Sequence, residues 1–359
     1  MRVLIAAGGT GGHIYPGIAV ANEIMRRNRS STVRFVGTAH GLETRLVPKA
    51  GFELSLIESA GLVNMGLRQR LRGLLLLPTS FLAARRLIRT FQPGIVVGAG
   101  GYVSGPVLLM AALMRVPTLV MESNAVPGFT NRRLARFVDA AAVSFAAALP
   151  YFHGKGVLTG NPVRSEFFDI LAKARDPQRF RLLLFGGSQG SRAINDAMLQ
   201  ALPYLESFRG RMQITHQTGA LDFAKVVAGY DSAGWRQVDV RQYIDDMVAA
   251  FAENDLIVSR AGATTSFELM AAGKPALMVP LPGQLEQQRN AEVMQQTGAA
   301  RMIMQDELTG ERLAKEIGTL IDKPEEITRM EAAGRKLARR DAATATVELI
   351  EGLVKGRER

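Results

Sequence analysis

The sequence contains no cysteine among its 359 residues. Disulfide bonds, iron–sulfur clusters, thiolate zinc sites and thiol catalysis are therefore excluded. Histidine is almost as scarce, since the sequence has only His13, His40, His153 and His216, which lie far apart. Their spacing does not match that of histidine ligands to a metal.

The sequence also lacks long hydrophobic segments. Its uninterrupted apolar runs, such as residues 74–77 and 107–114, are much shorter than the roughly 18 residues needed to span a membrane. Only the short apolar run of residues 3–7 separates Met1-Arg2 from the first glycines, which favours a first strand over a signal peptide. We expect a chain that lies on the cytoplasmic side and has no membrane-spanning anchor.

Acidic residues are few in the first half of the chain. Residues 1–160 contain 18 basic and 6 acidic side chains, a net charge of +12, whereas residues 161–359 contain 26 and 27, a net charge of −1. This imbalance predicts that the first half faces a polyanion: nucleic acid, nucleotide phosphate or an acidic membrane. Stacking residues are scarce, with one Trp and six Tyr, and no nucleic-acid motif is present, so nucleic acid is the least favoured partner.

A pattern of strand, glycine loop and helix occurs twice. Apolar residues 3–7 precede the glycines of residues 8–12, and apolar residues 182–185 precede a second glycine loop at 186–190. Two such units, about half a chain apart, predict an α/β protein with two doubly wound parallel-sheet domains in tandem. Gly160 and Pro162 interrupt the pattern. We therefore expect domains at residues 1–161 and 164–340, followed by an amphipathic helix near 341–359.

The glycines of residues 8–12 indicate a diphosphate site. Glycines after a strand let backbone N–H groups approach a diphosphate, and the helix N-terminus adds positive potential. A nicotinamide site does not fit, because Ile14 stands where the G-x-G-x-x-G pattern needs Gly or Ala. Another glycine loop, at residues 98–105, follows an apolar strand, and ligands bind at the carboxyl edges of doubly wound sheets. A tight turn without a ligand is the alternative.

Two side chains of the first half are candidates for acid–base chemistry. His13 follows the first glycine loop, where a helix N-terminus disfavours its charged form and favours a neutral imidazole that accepts a proton. Glu122 ends another predicted strand and could act as a base or orient one. The alternatives are a histidine that braces the loop and a carboxylate that caps the next element.

Polar side chains also follow strands of the second half. Residues 259–268 form a turn of small residues that suits phosphate, with Glu268 suited to a ribose diol, and Gln287 and Gln288 could bind sugar hydroxyls. A capped helix start and a solvated helix start explain the same residues without a ligand. No Asp-x-Asp motif occurs. A nucleotide-sugar enzyme of this sequence would therefore lack a dedicated metal and stabilise its leaving group with backbone amides, helix N-termini and Arg164.

Residues 62–91 account for part of the basic excess. Leucine and phenylalanine recur at helical spacing before and after Pro78 and are flanked by arginines, which suits shallow insertion into an anionic bilayer surface. Two helices packed on the core with solvated arginines are the alternative. The predicted membrane residues are Leu74, Leu75, Phe81, Arg68, Arg72, Arg85 and Arg86.

Six segments, in order over essentially the whole chain, resemble the MurG family of bacterial glycosyltransferases, which add N-acetylglucosamine to the lipid-linked muramoyl-pentapeptide precursor of peptidoglycan. The segments are residues 8–13 (GGTGGH), 100–106 (GGYVSGP), 160–164 (GNPVR), 186–190 (GGSQG), 243–247 (YIDDM) and 263–268 (ATTSFE). The resemblance implies a GT-B fold, in which two Rossmann-like domains face each other across a cleft and the C-terminal helix returns to the first. This chain has Ser123 where the family usually has Gln, and Tyr243 where it has Phe.

The resemblance also implies roles for individual residues. The second domain would bind the donor, UDP-N-acetylglucosamine, and the first would bind the acceptor, undecaprenyl-diphospho-muramoylpentapeptide, at an anionic membrane surface. The implied donor contacts are Thr10, Gly11, Gly12, Asn124, Arg164, Ser188, Ile244, Ala263, Thr264, Thr265, Ser266, Phe267, Glu268 and Gln288. The implied acceptor contacts are Gly101, Tyr102, Asn131 and Gln287.

By the same resemblance, the C4 hydroxyl of the acceptor attacks the anomeric carbon of the donor with inversion. His13 is the leading candidate for the general base and Glu122 the second. The expected product is lipid II, and the reaction would need no metal or other cofactor. The enzyme would act at the cytoplasmic face of the bacterial inner membrane, as a peripheral protein with other cell-wall proteins as partners. Its product would serve cell-wall biogenesis, cell shape and cell division. The competing interpretations are another metal-free GT-B enzyme, such as a UDP-sugar epimerase, and a non-catalytic nucleotide- or lipid-binding protein.

Overall fold

A computed structural model describes residues 1–59, 67–172, 176 and 178–357, apart from the side chains of residues 67–76. The chain forms two compact units. Unit 1 comprises Met1–Arg164 and Arg339–Arg359, and unit 2 comprises Ser165–Ala338. Each unit is built on a parallel sheet with helices on both faces.

The described part of unit 1 contains seven strands. They are β1 (Arg2–Ala7), β2 (Thr32–Gly37), β3 (Glu53–Leu56), β4 (Ile95–Gly100), β5 (Thr118–Glu122), β6 (Ala140–Val143) and β7 (Gly156–Leu158). The helices between them are α1 (Gly11–Arg27), α2 (Glu43–Lys49), α3 (Leu67–Phe91), α4 (Ser104–Leu113) and α5 (Phe129–Leu134), with a 3-10 helix at Ala146–Phe152. The strands pair in the order β3-β2-β1-β4-β5-β6-β7. The order reverses between β1 and β4, where doubly wound sheets bind ligands.

Strand β1 shows how the sheet of unit 1 separates two cores. Val3 and Ile5 point to the face covered by α1, whereas Leu4 and Ala6 point to the face covered by α3 and α4. All four side chains are fully buried. A strand segment buried on both faces is apolar at every position, which is the pattern of residues 3–7 in the sequence.

Helix α3 differs from the expectation of separate helical stretches on either side of Pro78. It runs without interruption from Leu67 to Phe91 with Pro78 inside it. An interior proline costs roughly 3 kcal/mol relative to alanine. Beyond Pro78, Ala84, Ile88 and Phe91 are buried against the core of unit 1, and this packing offsets the cost.

Six parallel strands form the sheet in the described part of unit 2. They are β8 (Phe180–Phe185), β9 (Met212–Gln217), β10 (Val238–Arg241), β11 (Leu256–Ser259), β12 (Ala276–Met278) and β13 (Ala300–Met302), in the order β10-β9-β8-β11-β12-β13. The helices are α6 (Arg192–Ala201), α7 (Phe223–Ser232), α8 (Met247–Glu253), α9 (Ala263–Ala272), α10 (Leu285–Gln296), α11 (Gly310–Asp322) and α12 (Pro324–Leu337). Short 3-10 helices occur at Ser165–Asp169, Leu202–Phe208 and Gln305–Glu307. The order reverses between β8 and β11.

The last helix, α13 (Ala342–Lys355), belongs to unit 1. Its Val347 and Ile350 are fully buried in the same core as the apolar face of α1. Arg27, near the end of α1, forms ion pairs with Glu348 and Glu351 of α13 at 3.2 Å each. Apolar packing and paired charges therefore fix α13 along α1.

Candidate functional site

Two glycine loops of unit 1 meet at the carboxyl ends of β1 and β4. Gly100 and Gly101 have φ values of +118° and +84°, which residues with side chains rarely adopt. A Cβ atom on Gly101 would overlap the carbonyl oxygen of Gly8, and one on Gly100 would overlap the imidazole of His13. Glycine is required at both positions, and the loop after β4 therefore lies directly against the start of α1.

His13 lies at this junction, in the first turn of α1. The helix begins at Gly11 with Thr10 as its N-cap, so Gly11 and Gly12 are helical residues rather than loop residues. The imidazole is half-buried, and its Nδ1 lies 3.2 Å from the carbonyl oxygen of Gly8. Burial lowers the pKa of His13, against smaller opposing effects of this hydrogen bond and of Glu43. The imidazole is therefore neutral at physiological pH, as the sequence predicts.

The carbonyl oxygen of Gly8 determines the tautomer of His13. A carbonyl oxygen only accepts hydrogen bonds, so Nδ1 carries the proton and donates it to Gly8. Nε2 then keeps its lone pair and is the nitrogen that can accept a proton. This is the arrangement that a general base needs.

Glu43 is a residue of this region that the sequence analysis missed. Its carboxylate is fully buried at the start of α2 and accepts a hydrogen bond from the N–H of Gly9 at 2.9 Å. It also accepts hydrogen bonds from the N–H and the hydroxyl of Thr38, both at 2.8 Å. Two of the three donors are backbone groups, which leave no mark in a sequence, so a spacing pattern could not reveal this residue.

Glu122 ends β5 and is only 2% exposed. One carboxylate oxygen accepts from the backbone and side-chain amides of Asn124 at 2.9 and 3.0 Å. The other accepts from the N–H of Gly128 at 3.2 Å and from Nδ2 of Asn131 at 2.8 Å. Burial raises the pKa of Glu122, although these hydrogen bonds oppose the rise. The geometry favours the alternative given above, a carboxylate that caps the next element, because Glu122 accepts the N–H of Gly128, the N-cap of α5. It also orients Asn124 and Asn131.

Tyr15, which the sequence analysis also missed, lies between two predicted donor contacts. The guanidinium carbon of Arg164 is 5.5 Å from the centre of the Tyr15 ring, within the range of a cation–π interaction. A Cβ atom on Gly11 would lie 3.2 Å from the same ring. Gly11 and Arg164 are therefore brought to one place in unit 1, whereas Thr10 and Tyr102 are exposed at the rim.

Ser123, which stands where the family usually has Gln, is buried beside Asn161. Its hydroxyl donates a hydrogen bond to Oδ1 of Asn161 at 2.9 Å. Ser123 and Asn161 are 7% and 2% exposed. The serine therefore packs inside unit 1.

In unit 2, one buried amide connects two of the predicted donor segments. Gln217, at the end of β9, donates from Nε2 to the carbonyl oxygen of Gly187 at 2.8 Å. Its Oε1 accepts the N–H of Ile244 at 2.9 Å. Gln217 and Ile244 are both 2% exposed, whereas Ser188, next to Gly187, is exposed. Gln217 was not predicted, and it accepts the N–H of Ile244, a residue that the resemblance gives as a donor contact.

A buried polar network lies behind these loops. The imidazole of His216 is fully buried, 2.9 Å from the hydroxyl of Tyr230 and 3.0 Å from Oδ1 of Asn195. Asn195 donates in turn to the carbonyl oxygen of Thr218 and to Asp222, both at 3.0 Å. Burial lowers the pKa of His216 to about 3. This histidine is thus a neutral structural group that holds the turn after β9.

Residues 263–268 form the first turns of α9. The N-cap is Gly262, no side chain caps the helix, and the hydroxyl of Ser266 donates back to the carbonyl oxygen of Gly262 at 3.0 Å. A Thr or Ser cap, the alternative considered above, is therefore wrong for this helix. Ser266 and Phe267 are buried, whereas Ala263, Thr264, Thr265 and Glu268 are partly accessible.

Gln287 and Gln288 lie in the first turns of α10 and are partly accessible. Oε1 of Gln287 accepts the N–H of Leu281 at 3.1 Å, and Nε2 of Gln288 donates to Glu292 at 2.9 Å. The fully buried Asn290 donates to the carbonyl oxygen of Ala261 at 3.2 Å. The start of α10 is therefore joined to the turn that precedes α9.

Two family models match most of the chain. The glycosyltransferase family 28 N-terminal domain matches residues 3–143, and the glycosyltransferase family 28 C-terminal domain matches residues 181–346. A UDP-N-acetylglucosamine–N-acetylmuramyl-(pentapeptide) pyrophosphoryl-undecaprenol N-acetylglucosamine transferase of Anaeromyxobacter dehalogenans (strain 2CP-1 / ATCC BAA-258) is 46% identical over 99% of this chain and 94% of its own length. The transferase of the same name from Geobacter sulfurreducens is 43% identical over 97% of both chains. The crystal structure of Acinetobacter baumannii MurG has a TM-score of 0.80 at 30% identity and covers 98% of this chain and 99% of that one. The chain belongs to the MurG family.

Membership of the MurG family confirms the resemblance that the six sequence segments indicate. It also confirms the predicted GT-B fold with two Rossmann-like parallel sheets. The chain is accordingly a glycosyltransferase of family 28.

Within the described ranges of this MurG family member, no group of three or more His, Cys, Asp or Glu side chains could hold a metal ion. Among the helices of the same ranges, none is both long and apolar enough to cross a membrane.

The predicted membrane segment of this MurG family member lies on α3. Phe81 is half-buried, and Arg85 and Arg86 are exposed beside Leu82, which is 64% exposed. Ala84, which directly precedes Arg85, is fully buried in the core. The second half of α3 thus has one apolar face on the core and an arginine-rich face in solvent. The side chains of Arg68, Arg72, Leu74 and Leu75 lie outside the described residues.

Proposed function

We propose that the chain transfers N-acetylglucosamine from UDP-N-acetylglucosamine to the C4 hydroxyl of the muramoyl residue of undecaprenyl-diphospho-muramoylpentapeptide. The product is lipid II of peptidoglycan synthesis. The observation that carries this proposal is the 46% identity, over 99% of the chain, to a transferase whose name states this sugar and this acceptor. The geometry around His13 supports it independently, because it supplies the base that such a transfer needs.

His13 is the proposed general base. The acceptor's O4 attacks the anomeric carbon of the donor, the bond from that carbon to the β-phosphate oxygen of UDP breaks, and the configuration inverts from α to β. Nε2 of His13 takes the proton of the C4 hydroxyl, since Nδ1 is already committed to Gly8. Burial supports this role because it keeps His13 unprotonated before the reaction.

Glu122 is proposed as a positioning group rather than a second base. Its two oxygens accept hydrogen bonds from Asn124, Gly128 and Asn131, so it holds the side chains assigned to the donor and the acceptor. Gly101 and Tyr102 would contact the acceptor from the loop after β4.

Unit 2 is proposed to hold the donor. Ser188 and Ile244 lie on loops that follow strands, and the start of α9 and Gln288 lie in the first turns of helices that follow strands. All of them therefore lie beyond the carboxyl ends of the strands, where doubly wound sheets bind nucleotides. The first turn of α9 offers N–H groups without a side-chain cap, which suits the diphosphate of UDP. Because Ser266 and Phe267 are buried, only their backbone would take part, whereas Thr264, Thr265 and Glu268 would use side chains. The contacts assigned to Thr10, Gly11, Gly12 and Arg164 of unit 1 remain predictions.

Unit 1 is proposed to bind the acceptor at the cytoplasmic face of the cell membrane, as a peripheral protein. Residues 1–160 carry a net charge of +12, and the exposed face of α3 presents Leu82, Arg85 and Arg86. An anionic bilayer attracts such a surface, and the lipid-linked substrate resides in that bilayer. Other cell-wall proteins are expected as partners from the family resemblance alone.

Release of UDP by the purified protein tests the proposal. The assay contains UDP-N-acetylglucosamine, EDTA and a short-chain lipid-linked muramoyl-pentapeptide, with a 4-deoxy-muramoyl acceptor as the matched control. We expect UDP release only with the complete acceptor. Release that does not depend on the acceptor, or 2-epimerised donor in its absence, would contradict the proposal, and strict dependence on added magnesium would contradict its metal-free mechanism.

A further inference from the structure

Glu43 connects the glycine loop after β1 to the loop after β2. Its Oε2 accepts the N–H of Gly9, and its Oε1 accepts both the N–H and the hydroxyl of Thr38. The side chain is fully buried although it carries a carboxylate. A buried carboxylate needs several donors to be tolerated, and here the donors come from two different loops.

The surrounding backbone makes room for this carboxylate. A Cβ atom on Gly8 would lie 2.9 Å from Oε1 of Glu43, and one on Gly37 would lie 2.6 Å from its Cγ. A Cβ atom on Gly41 would overlap its Oε2. Three glycines from three segments therefore leave space for a single side chain, and any residue with a side chain there would displace it.

Glu43 is ionised and acts on His13. Burial would raise its pKa, but the hydrogen bonds from Thr38, from its own N–H and from Gly9 outweigh burial and lower the pKa. The resulting negative charge favours the protonated form of His13, against the larger opposing effect of burial. A carboxylate that faces a neutral histidine stabilises the imidazolium as it forms.

The charge of the Glu43 carboxylate affects the pKa of His13. The other titratable groups to consider lie on α1, around α2 and in the loop after β4. Besides His13 and Glu43, the titratable side chains on those segments are Tyr15, Glu23, Arg26 and Arg27 on α1, His40, Arg45 and Lys49 around and on α2, and Tyr102 after β4. Among the charged groups in the described ranges, Glu43 is the one whose charge raises the pKa of His13. Helix α13 also packs on α1, but its Glu348 and Glu351 pair with Arg27 near the far end of that helix.

We propose that Glu43 is a positioning residue for the transfer reaction. It fixes the Gly8–Gly9 turn whose carbonyl oxygen orients the imidazole of His13, and its charge stabilises the imidazolium that forms when His13 takes the acceptor's proton. The inference rests on the proposed function, in which His13 is the general base. In this proposal, Glu43 acts on His13, and His13 takes the proton of the acceptor hydroxyl.

Substitution of Glu43 by Gln and by Asp tests this role, with Glu53→Gln as the matched control. The side chain of Glu53 is 70% exposed on the neighbouring strand β3, and Glu53 is not part of the site. The measurements are kcat and KM as functions of pH, with UDP-N-acetylglucosamine and the short-chain acceptor, and thermal unfolding of each variant. Glu53→Gln should leave all of them near wild type.

Glu43→Gln should lower kcat by roughly tenfold or more, the order seen when the partner that orients a metal-ligating histidine is removed. Its KM for UDP-N-acetylglucosamine should stay within about twofold of wild type. The acid limb of the kcat profile should move to lower pH, because loss of the negative charge makes His13 harder to protonate. Glu43→Asp keeps the charge but cannot reach both loops, so kcat should fall while the acid limb stays in place.

Wild-type kcat and an unmoved acid limb in Glu43→Gln would overturn the inference. If Glu43→Gln fails to fold, Glu43→Asp decides, because an unchanged kcat in that variant has the same consequence. His13→Ala, assayed in parallel, separates the two hypotheses. Full activity of His13→Ala rejects the proposed base, whereas an inactive His13→Ala beside a fully active Glu43→Gln rejects only the role of Glu43. In the double variant, Glu43→Gln should cause no further loss.

Discussion

One hydrogen bond determines what His13 can do. The Gly8 carbonyl fixes the proton on Nδ1, burial disfavours the imidazolium, and Nε2 remains the basic nitrogen. The sequence predicted a neutral histidine from its place at a helix start. It could not predict the tautomer, because that depends on a backbone carbonyl five residues away whose direction is set by the fold. Glu43 was missed for the same reason.

The first prediction at the residue scale concerns His13→Ala. We expect kcat to fall by roughly 10²–10⁴, the range for removal of a general base, while the Kd for UDP-N-acetylglucosamine stays near wild type. Steady-state kinetics and isothermal titration calorimetry measure the two quantities. Unchanged turnover would reject His13 as the base.

The pH dependence of the wild-type enzyme gives the second prediction. The base acts in its unprotonated form, so kcat should fall as the pH drops through the pKa of His13. Because the pKa of His13 is lowered, activity should persist to a more acidic pH than an ordinary imidazole would allow. A kcat profile over a pH series checks this. An acid limb above the ordinary histidine value of about 6.5 would argue against the burial effect.

At the scale of elements, the glycine loops were predictable and their connections were not. The loops after β1, β4 and β8 were predictable because each contains glycines that directly follow an apolar run in the sequence. The side chain of Gln217 joins the Gly187 and Ile244 segments through contacts 30 and 27 residues away in sequence. Sequence periodicity marks strands and helices, but it carries no information about which loops one amide will join.

Gln217→Leu gives the third prediction. The variant keeps a side chain of similar size but loses two hydrogen bonds, each of which contributes about 1 kcal/mol. We expect the Kd for UDP to rise roughly tenfold, because two donor segments are no longer held together. Gln213→Leu, at the opposite end of β9, is the matched control. Equal UDP affinity of the two variants, measured by calorimetry, would contradict the role of Gln217.

Docking of α13 on α1 gives the fourth prediction. The pKa of Glu23 is lowered to about 2, chiefly by its hydrogen bond from Arg26. Hydrogen bonds from Arg27 and from Thr344 of α13 also lower it, whereas burial opposes the shift. A lowered pKa in the folded state stabilises the protein above the ordinary value of about 4.5, and this contribution is lost as the pH falls towards about 2. Glu23→Gln should therefore lower the free energy of unfolding by about 1 kcal/mol at pH 7. Urea unfolding at pH 7 and pH 3 measures the effect, which should shrink at pH 3; an equal effect at both would contradict it.

For the whole molecule, the charge division found in the sequence corresponds to the two units. The basic first half forms most of unit 1, which has the exposed arginines of α3, and the nearly neutral second half forms unit 2. Composition could predict a polyanionic partner but not which one. The proposed function supplies the choice, because a transferase that uses a lipid-linked diphosphate acceptor would work at an anionic membrane.

The fifth prediction concerns this surface. Arg85→Glu with Arg86→Glu should weaken binding to vesicles that contain anionic lipid by more than tenfold, because each arginine near the membrane contributes about 1 kcal/mol. Extension of the change to Arg68 and Arg72 should abolish binding. Arg236→Glu with Arg312→Glu, both exposed on unit 2, changes the net charge equally and is the control. Activity on a short-chain acceptor should be normal in all variants. Vesicle binding that survives the α3 changes would contradict the assignment of the surface.

The fate of the donor sugar tests the central claim most directly. Purified wild-type protein is incubated in EDTA with UDP-N-acetylglucosamine labelled in the sugar and with the lipid-linked muramoyl-pentapeptide, and the lipid product is isolated. We expect the label to appear in a lipid-linked disaccharide with a β linkage to C4 of the muramoyl residue. Label that remains in the nucleotide sugar, or that is recovered as its 2-epimer, would contradict it.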